Sequence, residues 1–393
     1  MGRLDTNVLI IGKSGVGKSS LLNYLFRKEV QETAAGRAVT KEGIFAFSYP
    51  YDDKFTINIY DTWGLEPSKT EKWRNLIMDE VRQHERADIK EWFNSIIFCI
   101  SAATARVEDF ELDIIKSLLN EKNHLIVTIT NCKSEADQTA LVMKRTLIDN
   151  TTLTEHDIIF VNNVEKKLIG GCVKQFGREA VFTSIIRNLW ITFKDKVPYR
   201  INQILDEEFE EESKKLHELA SIRHFVFRKE KKLDEFEREV NYEFQNFVER
   251  IAYKINRRFN DAIDYYNALS KQYADIGELL DENDFKYNPK LKYVVFKKFK
   301  EELEVIVQGL KNKINEIHIL KEAQISKEVL NQLGMALGTY FLSQKKIKKE
   351  LNESIDKYLS MAKKYLKEEI EEINCKIQEK DIENLYANQL KTL

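Results

Sequence analysis

Val8-Leu9-Ile10-Ile11-Gly12-Lys13-Ser14-Gly15-Val16-Gly17-Lys18-Ser19-Ser20 is the stretch that decides the fold. Four branched apolar residues read as a buried strand, and Leu21–Phe26 continues as a helix. Between them lies G-x-x-x-x-G-K-S, in the strand–loop–helix setting that gives this pattern its meaning. Glycines let the backbone curl around an anion with its N–H groups turned inward. The helix N-terminus adds the positive end of its dipole. Lysine at the seventh position neutralises β- and γ-phosphates, and serine at the eighth offers its hydroxyl to Mg²⁺. Gly12, Ser14, Gly15, Val16, Gly17, Lys18, Ser19 and Ser20 are therefore the candidate phosphate cradle.

Downstream, the run Thr56–Tyr60 ends in Asp61-Thr62-Trp63-Gly64. An aspartate there can hold Mg²⁺ through water, and the Gly64 N–H can sense the terminal phosphate. Thr40 lies 21 residues before Asp61, in a loop, where a threonine can cap the metal and the γ-phosphate. Thr33 is the alternative in the same loop. Further β-branched runs follow at Ser95–Ile100, His124–Thr130 and Asp157–Val161. They alternate with helical patterns at Trp73–Val81, Phe110–Leu119 and Ala180–Trp190. Such alternation predicts a mainly parallel sheet with helices on both faces. Ile44–Tyr49 is expected to pair antiparallel with Thr56–Tyr60, turning at Tyr51–Lys54.

The 393-residue chain changes character near residue 193. Ten of its 14 glycines and three of its four prolines precede residue 200. The remainder is rich in Lys and Glu and little punctuated, as long helices are. Two domains are expected, 1–193 and 194–393, the second an all-α bundle with a break near 275–289. Its clearest stripe runs Phe236, Val240, Phe244, Phe247, Ile251, Ile255, Phe259, Ile263, Tyr266 and Tyr273, one face of an amphipathic helix. The spacing holds no strict heptad, which favours a packed bundle over an extended coiled coil.

Composition narrows the function. Hydrophobic residues make up 43% of the chain, enough for a core. Basic residues number 62 and acidic ones 64, a formal net charge of −2, which speaks against nucleic-acid binding by bulk charge. Cys99, Cys132, Cys172 and Cys375 lie far apart without metal-type spacing, as expected for reduced thiols of a cytoplasmic protein. Neither a secretory signal nor an ordinary transmembrane helix is expected.

The phosphate loop, Asp61-Thr62-Trp63-Gly64 and Thr40 together resemble the translation-factor-like class of P-loop GTPases. Within it, Gly12–Ser20 is similar to the loop of septins, immunity-related GTPases and their bacterial relatives. Ala35–Thr40, Asp61–Glu66, Ile100-Ser101 and Arg106 also resemble the Era/TrmE and enterotoxin-output groups. The resemblance spans about residues 7–192. It implies GTP and GDP as ligands, Mg²⁺ held by Ser19, Thr40 and Asp61, and catalytic roles for Lys18, Thr40 and Gly64. It also implies base contacts from Asn131, Lys133 and Asn162, and pairing of two G domains in a nucleotide-dependent homodimer.

Two departures stand out. The family reads guanine with the aspartate of [NT]-K-x-D. Here one register, Thr130-Asn131-Cys132-Lys133, puts lysine at that place. The other, starting at Asn131, puts Ser134 there. Glu135 or Asp137 is left to reach in from a shifted loop, with adenine or a relaxed base preference as the alternative. Catalysis departs as well, because Leu65 stands where related enzymes orient water with glutamine, so slow turnover is expected. Arg37, Arg74 and His84 are candidates for a supplementary group. The asparagine pair 162–163 occupies the place of the last base loop.

In the helical half, Val329–Leu342 is apolar, contains Gly334-x-x-x-Gly338 and precedes Lys345-Lys346-Ile347-Lys348-Lys349. It reads as a buried bundle helix or as a membrane-touching tip with a basic anchor, the loose analogy being dynamin-like proteins. Fourteen residues are too few to span a bilayer. A protein partner through this half is the other expectation.

Overall fold

The computed structural model describes residues 4–26, 37–38, 44–50, 55–62, 64, 70–168, 171–219, 230–273, 295, 297–309, 311–312 and 327–379. By packing, the chain divides into two units. One comprises Met1–Arg200, Asn260–Asp281 and Lys376–Leu393, and the other Ile201–Phe259 and Glu282–Cys375.

The first unit is built on a seven-stranded sheet in the order β2-β3-β4-β1-β5-β6-β7. The strands are β1 (Leu4–Gly12), β2 (Arg37–Ala38), β3 (Ile44–Pro50), β4 (Phe55–Thr62), β5 (Phe93–Ser101), β6 (Leu125–Thr130) and β7 (Ile158–Phe160). From β4 to β7 every pairing is parallel, and β3 pairs antiparallel with β4, Ile44 opposite Thr62. This is the mainly parallel sheet with the antiparallel partner that the sequence predicts. The expected turn at Tyr51–Lys54 lies outside the described residues.

All nine residues of β5 are buried, as are all six of β6, because helices cover both faces. Those helices are α1 (Lys18–Phe26), α2 (Thr70–Arg86), α3 (Asp109–Asn120), α4 (Gln138–Asn150) and α5 (Arg178–Ile191). α2 buries Trp73, Ile77, Met78 and Val81, a single face. α4 buries only Ala140, Met143 and Leu147 and is started by its cap, Asp137, whose carboxylate accepts from the Thr139 and Ala140 N–H groups. A separate two-stranded hairpin joins β8 (Lys166–Leu168) and β9 (Gly171–Val173). After α5 the chain passes through one π-helical turn, Thr192–Lys196, into α6 (Val197–Leu219).

That π turn places a charge in the interior. Lys196 is 1% exposed, and its Nζ lies 2.6 Å from Glu85 Oε1 on α2 and 2.6 Å from Asn123 Oδ1. Arg200 Nε, also buried, lies 3.5 Å from the other Glu85 oxygen. Burial holds the Lys196 pKa below the ordinary lysine value, with the Glu85 carboxylate opposing the shift.

The second unit is helical, as expected. α7 (Glu230–Tyr273) buries Phe236, Val240, Phe244, Phe247, Ile251, Ile255 and Phe259, the stripe legible in the sequence. Phe244 packs on Phe299 with ring centroids 4.3 Å apart, Phe209 on Phe247 at 4.8 Å, and Phe299 on Tyr358 at 5.5 Å. Such aromatic pairs add about 1 kcal/mol each beyond the area they bury. Asp206 accepts from Lys363 at 2.9 Å and Lys367 at 2.8 Å on α8 (Lys327–Glu379). The expected break at 275–289 lies outside the described residues. Val329–Leu342 falls within α8, with Met335 71% exposed. No helix among the described residues is long and apolar enough to cross a membrane. All four cysteines are free thiols.

Candidate phosphate-binding site

The end of β1 and the start of α1 hold the loop between them in a fixed curve. Gly12 has φ +147°, and a Cβ there would lie 2.4 Å from the Cys99 carbonyl oxygen of β5. Gly15 and Gly17 also take positive φ, +79° and +95°. Side chains from distant strands grip the loop's carbonyls from behind. Thr130 Oγ1, at the end of β6, lies 2.5 Å from the Val16 carbonyl oxygen, and Asn163 Nδ2 donates to the Gly17 carbonyl at 3.1 Å. Lys13 is drawn outward to Glu108 at 2.8 Å, beside the Phe110 ring. Ser14, Gly15 and Ser20 are exposed, Ser19 is half-buried in the first turn of α1, and Val16 is buried.

Lys18 is 8% exposed and donates from Nζ to the Gly12 carbonyl at 2.8 Å and the Lys13 carbonyl at 3.0 Å. Burial lowers its pKa, and the neighbouring Cys99 and Asp61 oppose that shift. Asp61 sits at the end of β4, opposite Ile10 in the parallel ladder. Its Oδ1 is buried and accepts no hydrogen bond. Burial pushes the Asp61 pKa up to about 6, against the opposing charge of Lys18 and the Thr62 backbone. The Gly64 backbone rests directly on the loop, since a Cβ there would come within 2.4 Å of Ser14 Cα. The phosphate loop, Lys18, Asp61 and Gly64 thus meet at one end of the sheet. Thr40, Thr33, Trp63 and Leu65, and the side chain of Arg37, lie outside the described residues.

An orphaned, buried carboxylate oxygen beside a lysine and a serine-led helix start suits a hydrated divalent cation. Ser19 and Asp61 fit that role.

The Asp61 shift has a measurable consequence. The ordinary aspartate value is near 4, so between about pH 4 and 6 the ligand-free folded protein holds a proton that the unfolded chain has lost. This group therefore favours folding in acid, and its contribution declines as pH rises through about 6. The stability of the ligand-free wild type, measured against Asp61→Asn by urea denaturation, should fall by about 2 kcal/mol between pH 4 and pH 7.5. A difference that does not change with pH would remove the basis for the shift.

At the opposite flank the expected base contacts separate. Lys133 is exposed, and its backbone N–H donates to Asp137 Oδ2 at 2.7 Å. Burial pushes the Asp137 pKa up, but the N–H groups of Lys133, Ala140 and Thr139 outweigh this and hold it low. Asp137 is thereby committed to shaping its own loop. Asn131 takes φ +59° and donates from Nδ2 to Ser101 Oγ at 3.0 Å. Asn162 turns away, because its N–H and C=O both pair with Phe176 and its side-chain amide donates to the Lys174 carbonyl at 2.8 Å. The neighbouring Asn163 is the one that reaches the phosphate loop. Sequence reasoning missed it, along with the grip of Thr130 on Val16. His84, a candidate supplementary group, is held at Nδ1 by the Glu91 carbonyl (2.5 Å) and at Nε2 by Glu80 (3.4 Å).

The model for the 50S ribosome-binding GTPase family matches residues 7–132. GTPase Der of Clostridium acetobutylicum is 28% identical over 131 residues, 33% of this chain and 28% of the relative. Der of Mycoplasmopsis agalactiae is 29% identical over 124 residues, covering 32% and 26%. The chain thus spans little more than a quarter of the length of these curated relatives. Among solved structures, Toc33 from Arabidopsis thaliana with Mg²⁺ and GMPPNP matches with 17% identity and a TM-score of 0.34, over 48% of this chain and 85% of that one. The septin GTPase domain from Chlamydomonas reinhardtii matches with 15% identity and a TM-score of 0.35, over 47% and 90%. With its phosphate loop, Lys18 and Asp61 gathered at the end of a mostly parallel sheet, and with the family match on residues 7–132, this chain carries an N-terminal P-loop GTPase domain.

Proposed function

We propose that this protein binds GTP with Mg²⁺, hydrolyses it slowly, and passes the change of nucleotide state to its helical half. The observation that supports this best is the pairing of Lys18 with the orphaned Asp61 carboxylate beneath the glycine-rich loop. Lys18 exchanges its hold on the Gly12 and Lys13 carbonyls for β- and γ-phosphate oxygens. Loop N–H groups and the α1 N-terminus accept the remaining phosphate charge. Ser19 and Asp61 would hold the metal, with Thr40 as the third ligand. When bound, Mg²⁺ supplies neutralisation of the charge that grows on the transferring phosphoryl oxygens. Leu65 has no hydrogen-bonding group with which to orient water. Turnover by the chain alone is therefore set low, on the order of 10⁻³ s⁻¹. A second G domain, or a partner met through the helical half, supplies the missing group. The same leucine favours a second reading, in which nucleotide binding sets assembly with little turnover.

Calorimetry with GTP, GDP, ATP and ADP, alongside phosphate release, tests the proposal. Lys18→Ala is expected to weaken nucleotide binding by about 100-fold or more while leaving the circular-dichroism spectrum unchanged. Undiminished binding by the variant would place the nucleotide elsewhere. Tight binding with no phosphate release would select the assembly reading.

A further inference from the structure

A cleft of about 840 Å³ opens between α1 and the start of α5. Asn23 and Tyr24 form one wall, Glu135 another, and Gln175, Phe176 and Arg178 close the remainder. Asn23 and Tyr24 stand five and six residues beyond Lys18 on α1, about 8 Å along a helix that rises 1.5 Å per residue. A nucleotide whose phosphates rest at the α1 N-terminus carries its base on that scale of distance. The cleft is also joined to the phosphate loop, because Gln175 Nε2 donates to the Asn163 carbonyl at 2.9 Å and Asn163 holds Gly17.

The chemistry of the walls is uneven. Arg178 is occupied, donating from Nε to the Leu25 carbonyl at 2.7 Å and pairing with Glu179 at 2.8 Å. Asp137 is committed to three backbone N–H groups of its own loop. The loop after β6 thus turns one other carboxylate, Glu135, toward the cleft. We propose that this cleft is the nucleobase subsite and that Glu135 is the residue that selects guanine; the proposal rests on the nucleotide-binding reading above. Guanine presents its N1–H and 2-amino group side by side, and one carboxylate accepts from both. Adenine offers an acceptor nitrogen at that edge, which a carboxylate repels. The selecting carboxylate then lies two residues beyond Lys133, which explains how the loop tolerates lysine where the family places aspartate.

Calorimetry of the full chain with Mg²⁺ and GDP, ADP or xanthosine diphosphate provides the test. The wild type is expected to prefer GDP over ADP by about 100-fold. Glu135→Gln should lose about 30-fold in GDP affinity and gain affinity for xanthosine diphosphate. The glutamine amide donates where xanthine carries a carbonyl in place of the amino group, a gain that a merely structural role would not produce. Unchanged GDP affinity in Glu135→Gln, with the wild type binding GDP, would overturn Glu135 alone. A wild-type preference for ADP would overturn guanine selection while leaving the phosphate site standing. Binding of none of the three would overturn the proposal together with the reading beneath it.

Discussion

Glu85→Gln is expected to destabilise the first unit by about 3–5 kcal/mol, the cost of removing one member of a buried ion pair. Glu85 is 3% exposed and faces two cations, Lys196 at 2.6 Å and Arg200 at 3.5 Å. Glutamine would leave both inside the protein with no carboxylate between them. Lys196→Met should cost less, about 2 kcal/mol, because Glu85 would keep Arg200 and the methionine chain would fill the lysine's place. The order of the two effects is as informative as their size. All four tryptophans (63, 73, 92 and 190) lie before residue 200, so their fluorescence follows this unit during urea denaturation. Equal losses in the two variants would mean that Arg200 is no effective partner. A loss below about 1 kcal/mol for Glu85→Gln would mean that water reaches the cluster.

Gly12→Ala should cost about 3 kcal/mol or more. Two penalties coincide at this residue. Its φ of +147° is closed to alanine, and the new Cβ would sit 2.4 Å from a backbone oxygen of β5. That oxygen belongs to a strand buried along its whole length, between β1 and β6, and has no room to withdraw. Gly15→Ala is the matched comparison. Its φ is +79° and nothing lies within 4 Å of its added Cβ, so it should lose only the strain of a left-handed residue, about 1–2 kcal/mol. Chemical denaturation of both variants without nucleotide separates collision from strain. Equal costs would show that the contact with Cys99 relaxes.

The division between what could be read from sequence and what could not follows chain separation. The phosphate loop is local, eight residues whose spacing specifies the strand, the curve and the helix. The strand order and the antiparallel β3–β4 pair follow from alternation and the rules of sheet topology. Contacts spanning long separations leave no periodic trace. Thr130 meets Val16 across 114 positions and Asn163 meets Gly17 across 146. The Glu85–Lys196 pair also escaped notice, because a lysine within a helical run reads as solvated until a π turn rotates it inward. α4 was missed for another reason, since its buried face has three residues and its strongest signal is one capping aspartate. The pair Asn162-Asn163 was located correctly in the chain, but which of two adjacent asparagines faces the loop depends on the bridge to Phe176.

The double grip on the loop has a thermodynamic consequence. Because Thr130 holds the Val16 carbonyl and Asn163 the Gly17 carbonyl, the receptor's shape is settled when the chain folds, before any anion arrives. Little conformational entropy then remains to be lost on association, so the encounter is that of a ligand with a rigid template. Side chains that never touch the ligand thereby help to set its affinity. Loosening either grip would appear first as a less favourable entropy of binding, and only afterwards as a lost contact.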